Sequence, residues 1–177
     1  MFKQVLTVAA ALALSGCGGK TVIESDMSRM VAASPASPWL TVEGSTGSLV
    51  TVTGLDEKAR VQVTPDVASV VQARVRTLLQ PRYFTDLIIN CSDLNVAVSA
   101  KADDENAPPA AHLDLSVNCR LVARGPVATK TYRFRQSLPV DPAAPHFDVL
   151  VPKLIEASAG DLAEKLWADV PTPVAGR

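Results

Sequence analysis

Between Leu113 and Leu121 every odd-numbered residue is apolar and every even-numbered residue polar, in the run Leu113-Asp114-Leu115-Ser116-Val117-Asn118-Cys119-Arg120-Leu121. Successive side chains of a strand point to opposite faces, so this run demands a sheet with one buried and one wet face, the habit of antiparallel sheets. Upstream, Leu87, Ile89 and Cys91 are apolar at odd positions, whereas Leu94, Val96 and Val98 are apolar at even ones. One extra residue reconciles the two parities. A β-bulge near Ser92-Asp93 keeps both halves facing the core and pairs 98 with 113, 96 with 115, 94 with 117 and Cys91 with Cys119.

The next connection, Arg124-Gly125-Pro126-Val127, reads as a tight hairpin turn with Gly125 in the conformation such turns require. If 124 opposes 127, Cys119 lies opposite Tyr132, Val117 opposite Phe134 and Leu113 opposite Leu138, all inward. The outward pairs are then Asn118 with Arg133 and Ser116 with Arg135, bordered by Asp93 and Asn95. This polar row is the candidate partner surface (Asn118, Arg133, Arg135), set against the plainer alternative of a solvated face with local cross-strand pairing.

Further upstream, Trp39–Glu43 and Leu49–Thr53 flank Gly44-Ser45-Thr46-Gly47-Ser48 and read as a hairpin at a sheet edge, a second possible contact surface near Trp39. Thr64-Pro65-Asp66 has the composition of a helix start, with Thr64 as the capping hydroxyl, and Val67, Val70, Val71, Val75, Leu78 and Leu79 form one stripe before Pro81. Gln72, Arg76 and Gln80 fall off that stripe. A second helix, starting between Phe147 and Pro152, carries Leu154, Ile155, Ala159, Leu162, Leu166 and Val170 inward until Pro171 and Pro173. The expected fold class is α+β: an antiparallel sheet, made of a three-stranded meander plus an N-terminal hairpin, with two amphipathic helices on one face.

The chain opens with a basic Lys3, an apolar stretch from Val5 to Leu14, and the sequence Leu14-Ser15-Gly16-Cys17. The stretch is about half the roughly 20 apolar residues a membrane-spanning helix needs. These residues resemble the signal and lipobox of bacterial lipoproteins at every position of the motif. The resemblance implies lipidation of Cys17, cleavage before it and acylation (palmitate-class) of the new amino terminus; an ordinary signal peptide with a chance cysteine is the alternative. Gly18, where an aspartate would retain such proteins in the inner membrane, resembles the class sorted to the outer membrane, on its periplasmic face. The expected organisation is a cleaved signal over 1–16, a lipidated flexible tether over 17–38, one periplasmic α+β domain over 39–171 and a disordered tail over 172–177. A tether of some 20 residues spans on the order of 25 Å.

With Cys17 committed to lipid, Cys91 and Cys119 remain as an even pair in an oxidising compartment, and a disulfide between them is expected; two buried free thiols, or redox or metal chemistry, are the alternatives. Loss of Lys3 from a chain of 17 basic and 18 acidic residues leaves a nearly neutral protein, without the clustered cations that nucleic-acid binding needs. No catalytic or metal-binding residue is assigned and no cofactor is expected. His112 and His146 read as surface residues, and Asp103-Asp104-Glu105-Asn106 as a solvated loop rather than a cation site, since the spacing and glycine of a calcium loop are missing.

Cys17, a sheet over Leu87–Leu138 and a terminal helix over Leu154–Val170 together resemble, without a shared motif, ABC-type transport auxiliary lipoproteins. That resemblance implies an accessory of an envelope transport or assembly system and transfers no functional residue. The expectation is a non-catalytic lipoprotein held by the membrane and binding a protein partner; the alternative is a periplasmic enzyme or redox factor whose site is assembled only by the fold.

Overall fold

The computed structural model describes residues 22–32, 38–55, 59–102, 108–141 and 143–171. The elements run β1 (Val22–Asp26), α1 (Ser28–Ala32), β2 (Leu40–Gly44), β3 (Leu49–Thr53), β4 (Ala59–Thr64), α2 (Val67–Leu79), a 3₁₀ turn at Gln80–Arg82, β5 (Leu87–Lys101), β6 (Ala110–Ala123), β7 (Val127–Pro139) and α3 (Phe147–Ala168). The fold is mixed α+β, as expected, but the sheet is not purely antiparallel. Among the described residues seven strands form one sheet in the order β1-β4-β3-β5-β6-β7, with β2 also on β5.

The long meander follows the parity analysis closely. Val98 faces Leu113, Val96 faces Leu115 and Cys91 faces Cys119, with the register shifting between Ser92 and Asn95. Asp93 carries the bulge at φ +56°, a region that aspartate tolerates better than most residues. Cys91 and Cys119 are bonded as a disulfide, both sulfurs on the core side.

The β6–β7 register differs from the expected one by two residues. Ala123 N–H donates to Pro126 O at 3.0 Å, so the two loop residues are Arg124 and Gly125, at φ +51° and +105°. Both central positions of such a turn need positive φ, and the proline ring, fixed near −65°, forces Pro126 into the closing position. Cys119 therefore faces Lys130, Val117 faces Tyr132, Leu115 faces Phe134 and Leu113 faces Gln136. A shift of two preserves parity, so the inward and outward sets survive.

The expected hairpin of 39–53 is not formed. β2 and β3 lie one after the other along β5, both parallel to it, with Leu40 facing Ile89 and Val52 facing Val98. β5, at fifteen residues, is long enough to take both. Gly44 serves a close approach rather than a turn: a Cβ there would stand 2.6 Å from Leu94 O, where β5 itself bulges. Thr46 then bridges the gap, its Oγ1 accepting from Val96 N–H at 2.9 Å. The hairpin partner of β3 is β4, whose Val61 and Val63 are buried.

β2 is closed off by α2. Gln72 Oε1 accepts from Val42 N–H at 2.8 Å and Arg76 Nη2 donates to Leu40 O at 2.8 Å, two side chains one helical turn apart satisfying two backbone groups of one strand edge. Arg76, read from sequence as lying off the buried stripe, is accordingly only 8% exposed. Trp39 is buried too, its ring 5.1 Å from that of the exposed Tyr83, so Trp39 itself presents no free surface. Replacement Gln72→Leu is expected to lower stability by about 1–2 kcal/mol, the cost of a buried N–H without a partner, checked by urea denaturation; an unchanged midpoint would mean that Val42 N–H reaches water.

The helix start is two residues later than expected: Asp66, not Thr64, caps α2, accepting from Ser69 N–H at 3.0 Å and Ser69 Oγ at 2.7 Å. Pro65 follows a cis peptide outside the helix. Burial works to raise the Asp66 pKa, but the hydrogen bonds from Ser69 outweigh it and leave the carboxyl below its ordinary value.

α2 and α3 pack on each other and on the core face of the sheet, joined there by the short α1. Pro152 sits inside α3 and has no N–H for the Asp148 carbonyl four residues back. Ser25 of β1 supplies the donor instead, Oγ to Asp148 O at 3.1 Å. The span 22–32, assigned from sequence to a flexible tether, is thus part of the folded body: β1 is the outermost strand, parallel to β4, and Met27 is buried. Long-range parallel pairing fixes it, with only Ser25 buried in the strand itself. The signal region 1–16, Cys17 and the tail 172–177 lie outside the described residues.

Candidate interaction face

The face of β5–β7 turned away from the helices carries the outward parity set. From β7 come Thr129, Thr131, Arg133, Arg135 and Ser137, all exposed, and from β6 Asn118 and Arg120. The bulge adds two consecutive outward residues of β5, Ser92 and Asp93, before Asn95.

The two-residue shift decides who pairs with whom. Arg135 lies opposite Asp114, and its guanidinium donates twice to the carboxylate, Nε to Oδ1 at 2.7 Å and Nη2 to Oδ2 at 3.0 Å. This contact is the main cause holding the Asp114 carboxyl below its ordinary pKa, against the opposing effect of burial. Arg133 lies opposite Ser116 rather than Asn118. Asn118 instead lies between Thr131 and the bulge, accepting from Thr131 Oγ1 at 2.7 Å and donating through Nδ2 to Asp93 Oδ2 at 3.1 Å. A shallow depression of about 400 Å³ opens between Asn95, Asp114, Ser116, Arg133 and Arg135.

The three residues picked from sequence, Asn118, Arg133 and Arg135, therefore share one open face, though neither expected outward pair forms. Asp114 was missed as the partner of Arg135. The signal that finds it is the turn: once Pro126 is excluded from the loop, the register follows. The core side of the same strands is tied to α3, where Tyr132 OH donates to Asp169 Oδ2 at 3.0 Å and Lys130 pairs with Asp169 Oδ1 at 2.5 Å. Burial, then the Asp169 carboxylate, raises the Tyr132 pKa far above its ordinary value.

His112 is not a surface residue. Although its parity points it to the open face, it is 6% exposed, flanked by Ser99 of β5 and Ser137 of β7 near one end of the sheet. His146 is exposed at the start of α3, without a capping side-chain bond. Residues 103–106 lie outside the described residues. Among the described residues no three His, Cys, Asp or Glu gather as metal ligands, and no helix is long and apolar enough to cross a membrane.

These features define a class of architecture: one mixed sheet, helices on one face, a polar, partly ion-paired face on the other. No family model matches the chain, and no curated protein matches it. Among solved structures, rare lipoprotein B from Shewanella oneidensis is similar at 12% identity and TM-score 0.40, over 55% of this chain and 85% of that one. A minor lipoprotein from Acinetobacter baumannii is similar at 12% identity and TM-score 0.39, over 77% of this chain and all of that one. An uncharacterized protein is similar at 10% identity and TM-score 0.38, over 82% and 90%. At these values the likenesses carry no argument about function.

Proposed function

We propose that this chain is a non-catalytic lipoprotein of the bacterial envelope, anchored through Cys17 on the periplasmic side of the outer membrane, that binds a protein partner through the open face of β5–β7. The anchor is supported by Leu14-Ser15-Gly16-Cys17 and the sorting by Gly18. The observation that carries the binding role is the gathering of Arg133, Arg135 and Asn95 around one depression, with Asn118 on the same face, which no helix among the described residues covers. The place of the protein as an accessory of an envelope transport or assembly system belongs to the same proposal and rests on the resemblance to ABC-type transport auxiliary lipoproteins.

The test is the double variant Arg133→Glu, Arg135→Glu in the full-length lipoprotein. An exposed ion pair such as Arg135–Asp114 contributes at most about 1 kcal/mol, so the variant is expected to fold, with a thermal midpoint close to the parent's. Recovery of a crosslinked partner from intact cells is expected to fall at least tenfold, consistent with the reversal of two charges, a net change of four units, in one contact. A variant that folds and still recovers every partner at parental level would remove this face from the proposal.

A further inference from the structure

The incorporation of β1 into the sheet shortens the link to the anchor. Five residue steps separate Cys17 from Val22, the first residue of β1, and at 3.3–3.6 Å per step the strand starts at most about 18 Å from the lipidated cysteine. The sheet topology says which part of the body is tied so closely. β1 runs parallel to β4, with Val22 facing Arg60. β4 runs antiparallel to β3, and β3 parallel to β5, so that Thr53 faces Ser99. Lys101 at the end of β5 faces Ala110, and Ala110 faces Pro139. Val22, Thr53, Arg60, Lys101 and Pro139 therefore share one end of the sheet, while the Arg124-Gly125 turn lies at the other, about 45 Å away along β6.

We infer that the end of the sheet carrying Val22, Thr53, Arg60, Lys101 and Pro139 faces the lipid bilayer, and that the strands rise from it with the Arg124-Gly125 turn outermost. This orientation rests on the lipid anchor proposed above. Its cause is the length of chain between Cys17 and Val22, not charge. Being set by chain length, the apposition is insensitive to salt, and the depression lined by Asn95, Ser116 and Arg133 is presented sideways, between the two ends, rather than toward the lipid.

The experiment places a photoreactive amino acid at Lys101 or at Val127, both exposed, in the full-length lipoprotein reconstituted into phosphatidylethanolamine–phosphatidylglycerol vesicles. Illumination is expected to attach phospholipid to the Lys101 variant at least fivefold more than to the Val127 variant, equally at about 0.1 and about 0.5 M salt, where the screening length is roughly 10 Å and under about 5 Å. Insertion of about 20 Gly and Ser residues after Lys20 lengthens the reach and is expected to abolish the preference. The mass of the mature amino terminus is measured in parallel. An unlipidated terminus overturns the anchor and the orientation together. A lipidated chain labelled equally at both positions, or more at Val127, overturns the orientation alone.

Discussion

Joint replacement Cys91→Ala, Cys119→Ala is expected to lower the unfolding free energy by about 3–4 kcal/mol, from the entropy the unfolded chain regains when a loop of this length is opened. For a domain of this size that moves the thermal midpoint by on the order of 10 °C. The two residues are 28 apart in sequence and directly opposite in the β5–β6 ladder. Both are buried, so reductant alone is expected to act slowly on the folded protein and fully once it is unfolded. The local effect matters as much as the global one. Cys119 is adjacent to Asn118, and Cys91 to Ser92, where the bulge begins. Opening the bond therefore frees the segment that presents Asp93 to Asn118. Parallel denaturation of the parent and the double variant checks the magnitude. A difference below about 1 kcal/mol would mean that residual structure already restricts this loop in the unfolded chain without the bond.

The disulfide was legible in the sequence because it follows from parity, and parity is the most local of sheet properties. Alternation fixed the inward and outward faces of β5, β6 and β7, and the single parity break at Ser92-Asp93 located the bulge. Register is less local, and it turned on whether Gly125 paired in the loop with Arg124 or with Pro126. Parity alone placed Arg133, Arg135 and Asn118 on one face; only the register gives Arg135 its partner Asp114. β2 and β3 are strands as expected, but their partners, and β1 as a strand at all, were hidden for a different reason. Parallel pairing joins segments far apart in the chain, and no turn signal announces it. β4 is announced only by the short alternation Arg60-Val61-Gln62-Val63, which runs directly into the start of a helix. The burial of Arg76 was hidden because a helical period shows which side a residue takes, not that a strand edge stands there in need of a donor. His112 was hidden because alternation assigns a face but not whether a residue on that face is enclosed.

Edge management connects these corrections. β2 has strand neighbours on one side only, and α2 covers the other with Gln72 and Arg76. β1, at five residues, is short, a common way of limiting an edge. β7 is the long exception: thirteen residues at the end of the sheet, with Arg133 and Arg135 on its outward face. Repulsion between these like charges opposes pairing of β7 with a second copy in the registers that bring them opposite each other.

Replacement Phe147→Ala is expected to cost about 3–5 kcal/mol, the range for removing a fully buried aromatic side chain from a core that cannot close over the gap. Phe147 is 1% exposed and is the first residue of α3. That helix begins without a side-chain cap at His146, contains Pro152, and has Gly160 near its middle. Its ordering therefore depends on the buried stripe that Phe147 opens and Val151, Leu154, Ile155, Ala159, Leu162 and Leu166 continue. At the same end, Ser25 holds the Asp148 carbonyl that Pro152 leaves open, so loosening the first turn also releases β1 from α3. The expected signature is a lower urea midpoint together with faster hydrogen exchange in α3 and β1, while β5 and β6 keep the protection that their long ladder and disulfide give them. A loss below about 1 kcal/mol, or exchange that rises uniformly across the sheet, would show that α3 is held by its later turns and that β1 does not depend on it.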